Sequence, residues 1–319
     1  MCLAAFALGL SARFPLVLAA NRDEFHARPT EGLAWWPPTS EGTEILAGRD
    51  LQAGGTWMGL SAAGRLALLT NIRAPSRQQA DAPSRGNIVT RWLTTCQRTD
   101  RFWMQTALSG HNGFNLIAAD FSRGDLYWMS SAHASPLRLD HGLFGLSNGS
   151  LDEPWPKVVA LKQQLGLALQ RAQDCPASTP DELASNLLAA LGDSRVASDD
   201  QLPATGIALE LERQLSACFI RTPDGRYGTR CSTVLITEQR GDGLVTTVYE
   251  RSHAIAGRPS QLRRATLHDW PPRPAGDALL LPLGAQRPML VHHHPQPHRS
   301  AAARFPVMLS DFDATAVRG

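Results

Sequence analysis

The chain opens with two apolar runs of strand length, residues 3–10 and 15–20, separated by a short polar break. Apolar character on both faces marks them as buried strands, and the short spacing makes them a hairpin. The second run passes directly into Asn21, Arg22, Asp23 and Glu24, with no Gly or Ser between them. A chain that only had to turn would use Gly, Pro, Asn or Ser. Three charged groups at the end of a core strand therefore read as functional groups presented by the sheet, or as an ion pair of Arg22 with Asp23 capping it.

What they face is set by the other end of the hairpin. Cys2 follows the initiator Met1, and a small second residue permits removal of that methionine. A chain starting at Cys2 carries a thiol and a free α-amine on one residue. The amine titrates near ~7.7–8 and acts as general base toward the thiol, as in nucleophiles activated by an N-terminal amine. A two-residue loop at Ala12 and Arg13 puts Cys2 directly across from Asp23, with Cβ atoms roughly 4.5–5.5 Å apart. A slip of one residue substitutes Arg22 or Glu24. Arg22 beside the thiol favours the thiolate.

Further hairpins are expected at 56–61 with 65–71 and at 114–120 with 125–130, and a short strand at 143–146. A helix is expected over 87–96, with Ile88, Val89, Trp92 and Leu93 on one face. The middle third is helical. It includes "STPDEL", where Thr179 and Glu182 have capping-box spacing and Pro180 takes the first helical position. Strands resume at 217–221, 229–237 and 244–251. Hairpins with helices inserted between them predict an α+β layered fold with largely antiparallel sheets. Residues 1–269 are expected to form a single domain, and 270–319 a Pro-, His- and Ala-rich, weakly structured extension packed in places by 279–283.

Several classes are excluded by composition. The formal charge is +2, and the cations include only two lysines, Lys157 and Lys162. No basic run is interleaved with aromatics, so nucleic acid is not an expected partner. Nothing near the N-terminus reads as a signal peptide and no apolar run is of bilayer length, so no stable membrane insertion is expected, and the cysteine usage makes a reducing cytoplasm the expected setting. Five cysteines without a CxxC indicate neither a disulfide framework nor a zinc site. His292, His293, His294 and His298 lie in the irregular tail without nearby carboxylates or thiols, and neither a metal nor a cofactor is expected. Oligomeric state is not legible in these residues.

Two asparagines stand where apolar strands stop, Asn71 after "LALLT" and Asn148 in "GLSNGS". Each either opens a turn by bonding its own backbone or offers an amide N–H to an oxyanion.

The Met-Cys start followed by "NRDE" resembles the NRDE family, which includes the eukaryotic transport and Golgi organization proteins. The segments "AGGTWMGLSAAGRLALLTNIRAP", "GLSNGSLDEPWPKV", "YGTRCSTVLI" and "VYERS" are similar to that family's pattern, in order, over roughly residues 1–255. The family in turn is similar to N-terminal-nucleophile hydrolases of the choloylglycine hydrolase and penicillin V acylase kind. This resemblance implies a four-layer αββα sandwich and hydrolysis of a non-peptide C–N bond in a small acyl-amide by an N-terminal cysteine. Carried onto this sequence, it implies site roles for Cys2, Arg22, Asp23, Asn71, Asn148 and Arg230. In those hydrolases the early Arg and Asp are separated by two intervening residues. Here they are adjacent, and adjacent strand residues point to opposite faces. The eukaryotic relatives imply an alternative, a carrier for haem or another hydrophobic ligand, and a scaffold retaining only the fold is a third.

Overall fold

The computed structural model describes residues 2–37, 42–254 and 259–272. The extension from 273 onward, with the 279–283 run and the His292–His298 histidines, lies outside the described residues.

The first sheet has six strands in the order β10 (Gly142–Leu146), β1 (Cys2–Leu8), β2 (Leu16–Phe25), β11 (Tyr227–Arg240), β12 (Gly243–Ser252) and β13 (Gln261–His268). The second has seven, in sequence order: β3 (Thr30–Trp35), β4 (Ile45–Asp50), β5 (Met58–Ser61), β6 (Arg65–Asn71), β7 (Phe114–Asp120), β8 (Asp125–Ser130) and β9 (Leu137–Arg138). Every pairing is antiparallel. The helices are α1 (Gly86–Thr94), α2 (Thr99–Ala107), α3 (Pro156–Asp174), α4 (Pro180–Leu191) and the short α5 (Leu209–Gln214).

Three cores stack these elements into four layers. Leu3, Ala5 and Ala7 of β1 meet Leu161, Leu165, Leu187 and Leu191 of α3 and α4. The alternate residues Ala4, Phe6 and Leu8 meet Leu46, Leu60, Leu66 and Ile117 of the second sheet. Beyond that sheet, Ile88, Val89, Trp92 and Leu93 of α1 pack with Phe102, Phe114 and Leu116. The fold is thus an α+β, αββα sandwich of antiparallel sheets. The period-2 alternation of β1 between two apolar neighbours is why its sequence is apolar at every position. The α4 capping box forms as expected. At Gly145 a Cβ would lie 2.6 Å from Val158 and 2.7 Å from Lys162, so this glycine lets α3 settle directly on β10.

Several expectations are corrected. The first hairpin closes with Leu8 opposite Leu16, and the Gly9 N–H bonds Pro15 O, so its loop is longer than two residues. The loop is held by the Phe14 N–H to Ser11 Oγ bond, and Phe14 is buried, which anchors a residue that a tight turn would expose. The register therefore shifts by one, and Cys2 faces Arg22 rather than Asp23. Residues 21–25 do not end the strand but continue it, because β11 pairs with them as far as Phe25. Residues 217–221 are not a strand: the Cys218 carbonyl is taken by the Asn21 side chain, and only Arg221 bridges Gly228.

The strands β3 and β13 were not legible. Both lie at sheet edges and carry a broken exposure pattern, so neither shows period-2 hydrophobicity. Trp270, placed in the extension by composition, is buried against Phe121 and donates its indole N–H to Ser61 O. No helix among the described residues is long and apolar enough to cross a membrane.

Candidate active site

The register of the first sheet builds a cavity floor. Cys2 pairs with Arg22, Arg22 with Cys231, Cys231 with Ser252, and Ser252 with Gln261. Residues in one cross-strand row share a face, and all five line a single cavity of about 950 Å³. One row along, Glu250 and Arg263 pair across β12 and β13 and also line it. The opposite wall comes from β4, β6 and the approach to α1, including Arg49, Asn71 and Arg85. Cys2 and Cys231 flank Arg22 on alternate strands, about 10 Å apart. That exceeds disulfide reach, and both are free thiols.

Arg22 thus shares the face of Cys2, directly across the strand pair. Its Nη1 bonds Thr30 Oγ1 at 3.3 Å, and its Nη2 lies 3.8 Å from Glu24. The Cys2 thiol is pushed up by burial and by Asp23, while Arg22 and a hydrogen bond from the Asp23 backbone N–H pull it down. The last two stabilise a thiolate at the moment one forms.

Asp23 also borders the cavity, but its carboxylate reaches toward the helix layer. Its Oδ1 accepts from Thr229 Oγ1 at 2.7 Å. A bulge in β11 makes this geometry: Thr229 faces Asp23 and Cys231 faces Arg22, leaving Arg230 as the extra residue. Arg230 consequently lines the cavity, and its Nη1 bonds the carbonyls of Phe25, His26 and Arg28 at 2.8–3.1 Å, clamping the turn after β2.

The two asparagines separate. Asn71 ends β6 in the cavity wall. Asn148 is not among the cavity-lining residues. Its Nδ2 donates to Asn71 O at 2.8 Å and its Oδ1 accepts from Ser147 Oγ, so its side chain braces the end of β6.

Sequence reasoning missed three groups. Lys157, in the first turn of α3, is buried, and its Nζ has no hydrogen-bond partner among the described residues. Burial pulls its pKa down to about 8, with Asp23 as the main opposing influence. Burial likewise pushes Asp23 up, with Lys157 as the main opposing charge. Both side chains are buried, and each opposes the shift that burial imposes on the other. The one available signal was compositional: Lys157 is one of two lysines among 31 cationic side chains.

His253, just past β12, also lines the cavity. Asn21 Nδ2 donates to Leu191 O and Cys218 O, so Asn21 Oδ1 must accept the Ser232 hydroxyl proton at 2.6 Å. Ser232 Oγ then accepts from His253 Nε2–H at 2.8 Å, which fixes the tautomer. Burial, with Arg251 and Arg221, pulls His253 down to about 4.

Arg85 immediately precedes α1, where Gly55 and Gly86 let two backbones meet. A Cβ on Gly55 would lie 2.6 Å from the Gly86 carbonyl carbon.

Among the described residues no cluster of His, Cys, Asp or Glu has the form of a metal site.

Among solved structures, the chain is similar to a C2A variant of conjugated bile acid hydrolase from Clostridium perfringens, with a TM-score of 0.44 and 7% identity, over 83% of this chain and 92% of that one. It is also similar to a Caenorhabditis elegans N-acylethanolamine-hydrolyzing acid amidase ortholog, with a TM-score of 0.36 and 12% identity, over 74% and 92%. Sequence similarity is stronger. The Bos taurus transport and Golgi organization protein 2 homolog is 38% identical over 274 residues, covering 81% of this chain and 92% of that protein. The Homo sapiens homolog is 37% identical over 250 residues, covering 73% and 85%. Residues 1–254 match the family model for Transport and Golgi organisation 2, and the chain belongs to that family.

Proposed function

We propose that the protein is an N-terminal-nucleophile amidohydrolase acting on a small acyl-amide, with Cys2 exposed by removal of Met1. The observation that carries this reading is the register: Cys2 starts β1, shares a face with Arg22 on the neighbouring strand, and lines the cavity floor. In this reading the α-amine of Cys2 takes the thiol proton, and the thiolate attacks the carbonyl carbon. Arg22 and the Asp23 backbone N–H stabilise the sulfur anion, and the Asn71 side-chain amide, braced by Asn148, donates to the developing oxyanion. One such donor is worth about 3–4 kcal/mol. The thioester forms as the C–N bond breaks, and the leaving amine takes the proton held on the α-ammonium. Water, deprotonated by the same amine, then releases the acid. Asp23 and Lys157 position the strand end from behind.

The test is turnover of a panel of N-acyl amides by the wild-type protein and by Cys2→Ala, with Met1 retention read by intact mass. Turnover that needs Cys2 on a chain lacking Met1 supports the proposal, and activity that survives Cys2→Ala overturns it. The carrier reading makes a contrasting demand. A haem carrier develops a Soret band on titration with haemin and keeps it in Cys2→Ala. The charged floor, with Arg22, Glu250 and Arg263, gives less support to a purely hydrophobic ligand.

A further inference from the structure

The cavity's charges are unevenly paired. Of its acids, Asp50 lies 2.6 Å from Arg28, and Glu24 is shared between Arg22 and Arg28 at 3.8 and 4.0 Å. Asp23 accepts from Thr229 beside Lys157. Glu250 accepts the Leu33 N–H, and burial pushes its carboxyl up toward the neutral form. Glu31 sits exposed at the rim.

Three guanidinium groups of the same cavity have no carboxylate within 4.0 Å among the described residues: Arg49, Arg85 and Arg263. Arg49 stacks over Trp36 at 4.8 Å. Arg263 bonds Ser252 Oγ and Gln261 Oε1, and it passes where a Cβ on Gly32 would lie 2.4 Å from its Nη1. Among the described residues Arg85 donates one bond, from Nη1 to Gly113 O at 3.1 Å. Arg85 and Cys2 line the same cavity, and Arg85 is within electrostatic reach of Cys2 and Glu24.

A half-buried arginine that lines a cavity and gives a single bond to a carbonyl has donors left for a planar or tetrahedral oxyanion. We propose that the cavity is an anion-binding site. Its ligand carries a carboxylate or phosphate group, gripped by the Arg85 guanidinium in the cavity that Cys2 lines, with Arg49 and Arg263 adding positive potential. Resting on the amidohydrolase reading, this names the substrate class as an anionic acyl-amide.

The test compares alkylation of Cys2 by iodoacetate and iodoacetamide, with Cys2 and Cys231 separated by peptide mapping. These reagents match in reach and differ in charge, and neither requires turnover. The expected result is a Cys2 iodoacetate-to-iodoacetamide rate ratio above that of a short peptide bearing the same N-terminal sequence. In Arg85→Gln the ratio falls by roughly tenfold, as expected for loss of a charge-assisted hydrogen bond, while Arg85→Lys retains part of it. Competition at matched ionic strength separates the two sources. Protection by inorganic phosphate alone identifies a phosphate ligand, and protection by acetate as well identifies a carboxylate ligand. A wild-type ratio equal to the peptide's overturns the proposal, as does a ratio unchanged in Arg85→Gln. If Arg85→Gln does not fold, Arg49→Gln must lower the ratio in its place, and an unchanged ratio there overturns the proposal. Failure of the amidohydrolase reading would instead show as absent turnover with the alkylation ratio intact.

Discussion

His253 gives the cleanest prediction of pH behaviour. Its Nε2–H is fixed on Ser232 by the Asn21 chain, so acid must add a proton at the other ring nitrogen, against burial and the charges of Arg251 and Arg221. The folded state binds that proton at about 4 and the unfolded state at 6.5. Between those values the unfolded chain holds more protons, so stability rises with pH there and is lost as pH falls from 6.5 toward about 4. At about 1.4 kcal/mol per tenfold change in proton affinity, the full difference is about 3 kcal/mol. The ring is partly open to the cavity, and screening reduces this to about 1–2 kcal/mol.

His253→Gln keeps a donor for Ser232 and removes the titration. Urea unfolding of both proteins at pH 7 and near pH 4 should show the wild type losing about 1–2 kcal/mol more than the variant. Parallel losses would refute the buried, neutral assignment. The comparison is a difference between two proteins, so other acid-sensitive groups cancel.

Other outcomes follow from the same geometry. Lys157→Met leaves Asp23 buried beside a neutral neighbour and should cost about 3 kcal/mol in urea unfolding; Lys157→Met with Asp23→Asn should recover most of it, and additive losses would show that the two are not coupled. Asn148→Ala removes the donor to Asn71 O and should lower kcat more than it raises KM, with a stability loss of about 1–3 kcal/mol. A change confined to KM would mean that Asn148 itself touches substrate. Thr229→Val removes the hydroxyl bonded to Asp23 and should lower the pH at which Lys157 loses its proton, observable by NMR of a selectively labelled lysine; an unchanged titration would separate the two groups.

Much of the sandwich was legible because its central strands and α1 are governed by hydrophobic period. Residues 114–120 and 125–130 form the expected hairpin, and Ile88, Val89, Trp92 and Leu93 form the buried face of α1. The register of the first hairpin was not, because it depends on a loop whose length is set by the burial of Phe14, a tertiary event. That one-residue difference moves Arg22 opposite Cys2 and turns Asp23 toward α3. The bulge presenting Arg230 was equally hidden, since two residues opposing one leaves no composition signal. Asn148 was legible as a strand-end asparagine, but its bond to Asn71 O required knowing that β6 and the segment after β10 lie side by side. Lys157 and Arg85 come from helix starts far from "NRDE" in sequence, and only the packing of α3 and α1 brings them to it.

The central claim is that one processed residue supplies both nucleophile and base at the floor of this cavity. It is tested most directly by acid-quenching the protein during reaction with a short-chain acyl p-nitroanilide and weighing it intact. The account predicts a species lacking Met1 and carrying one acyl group, which peptide mapping assigns to Cys2. An acyl group on another residue, or a reacting chain that still carries Met1, would contradict it.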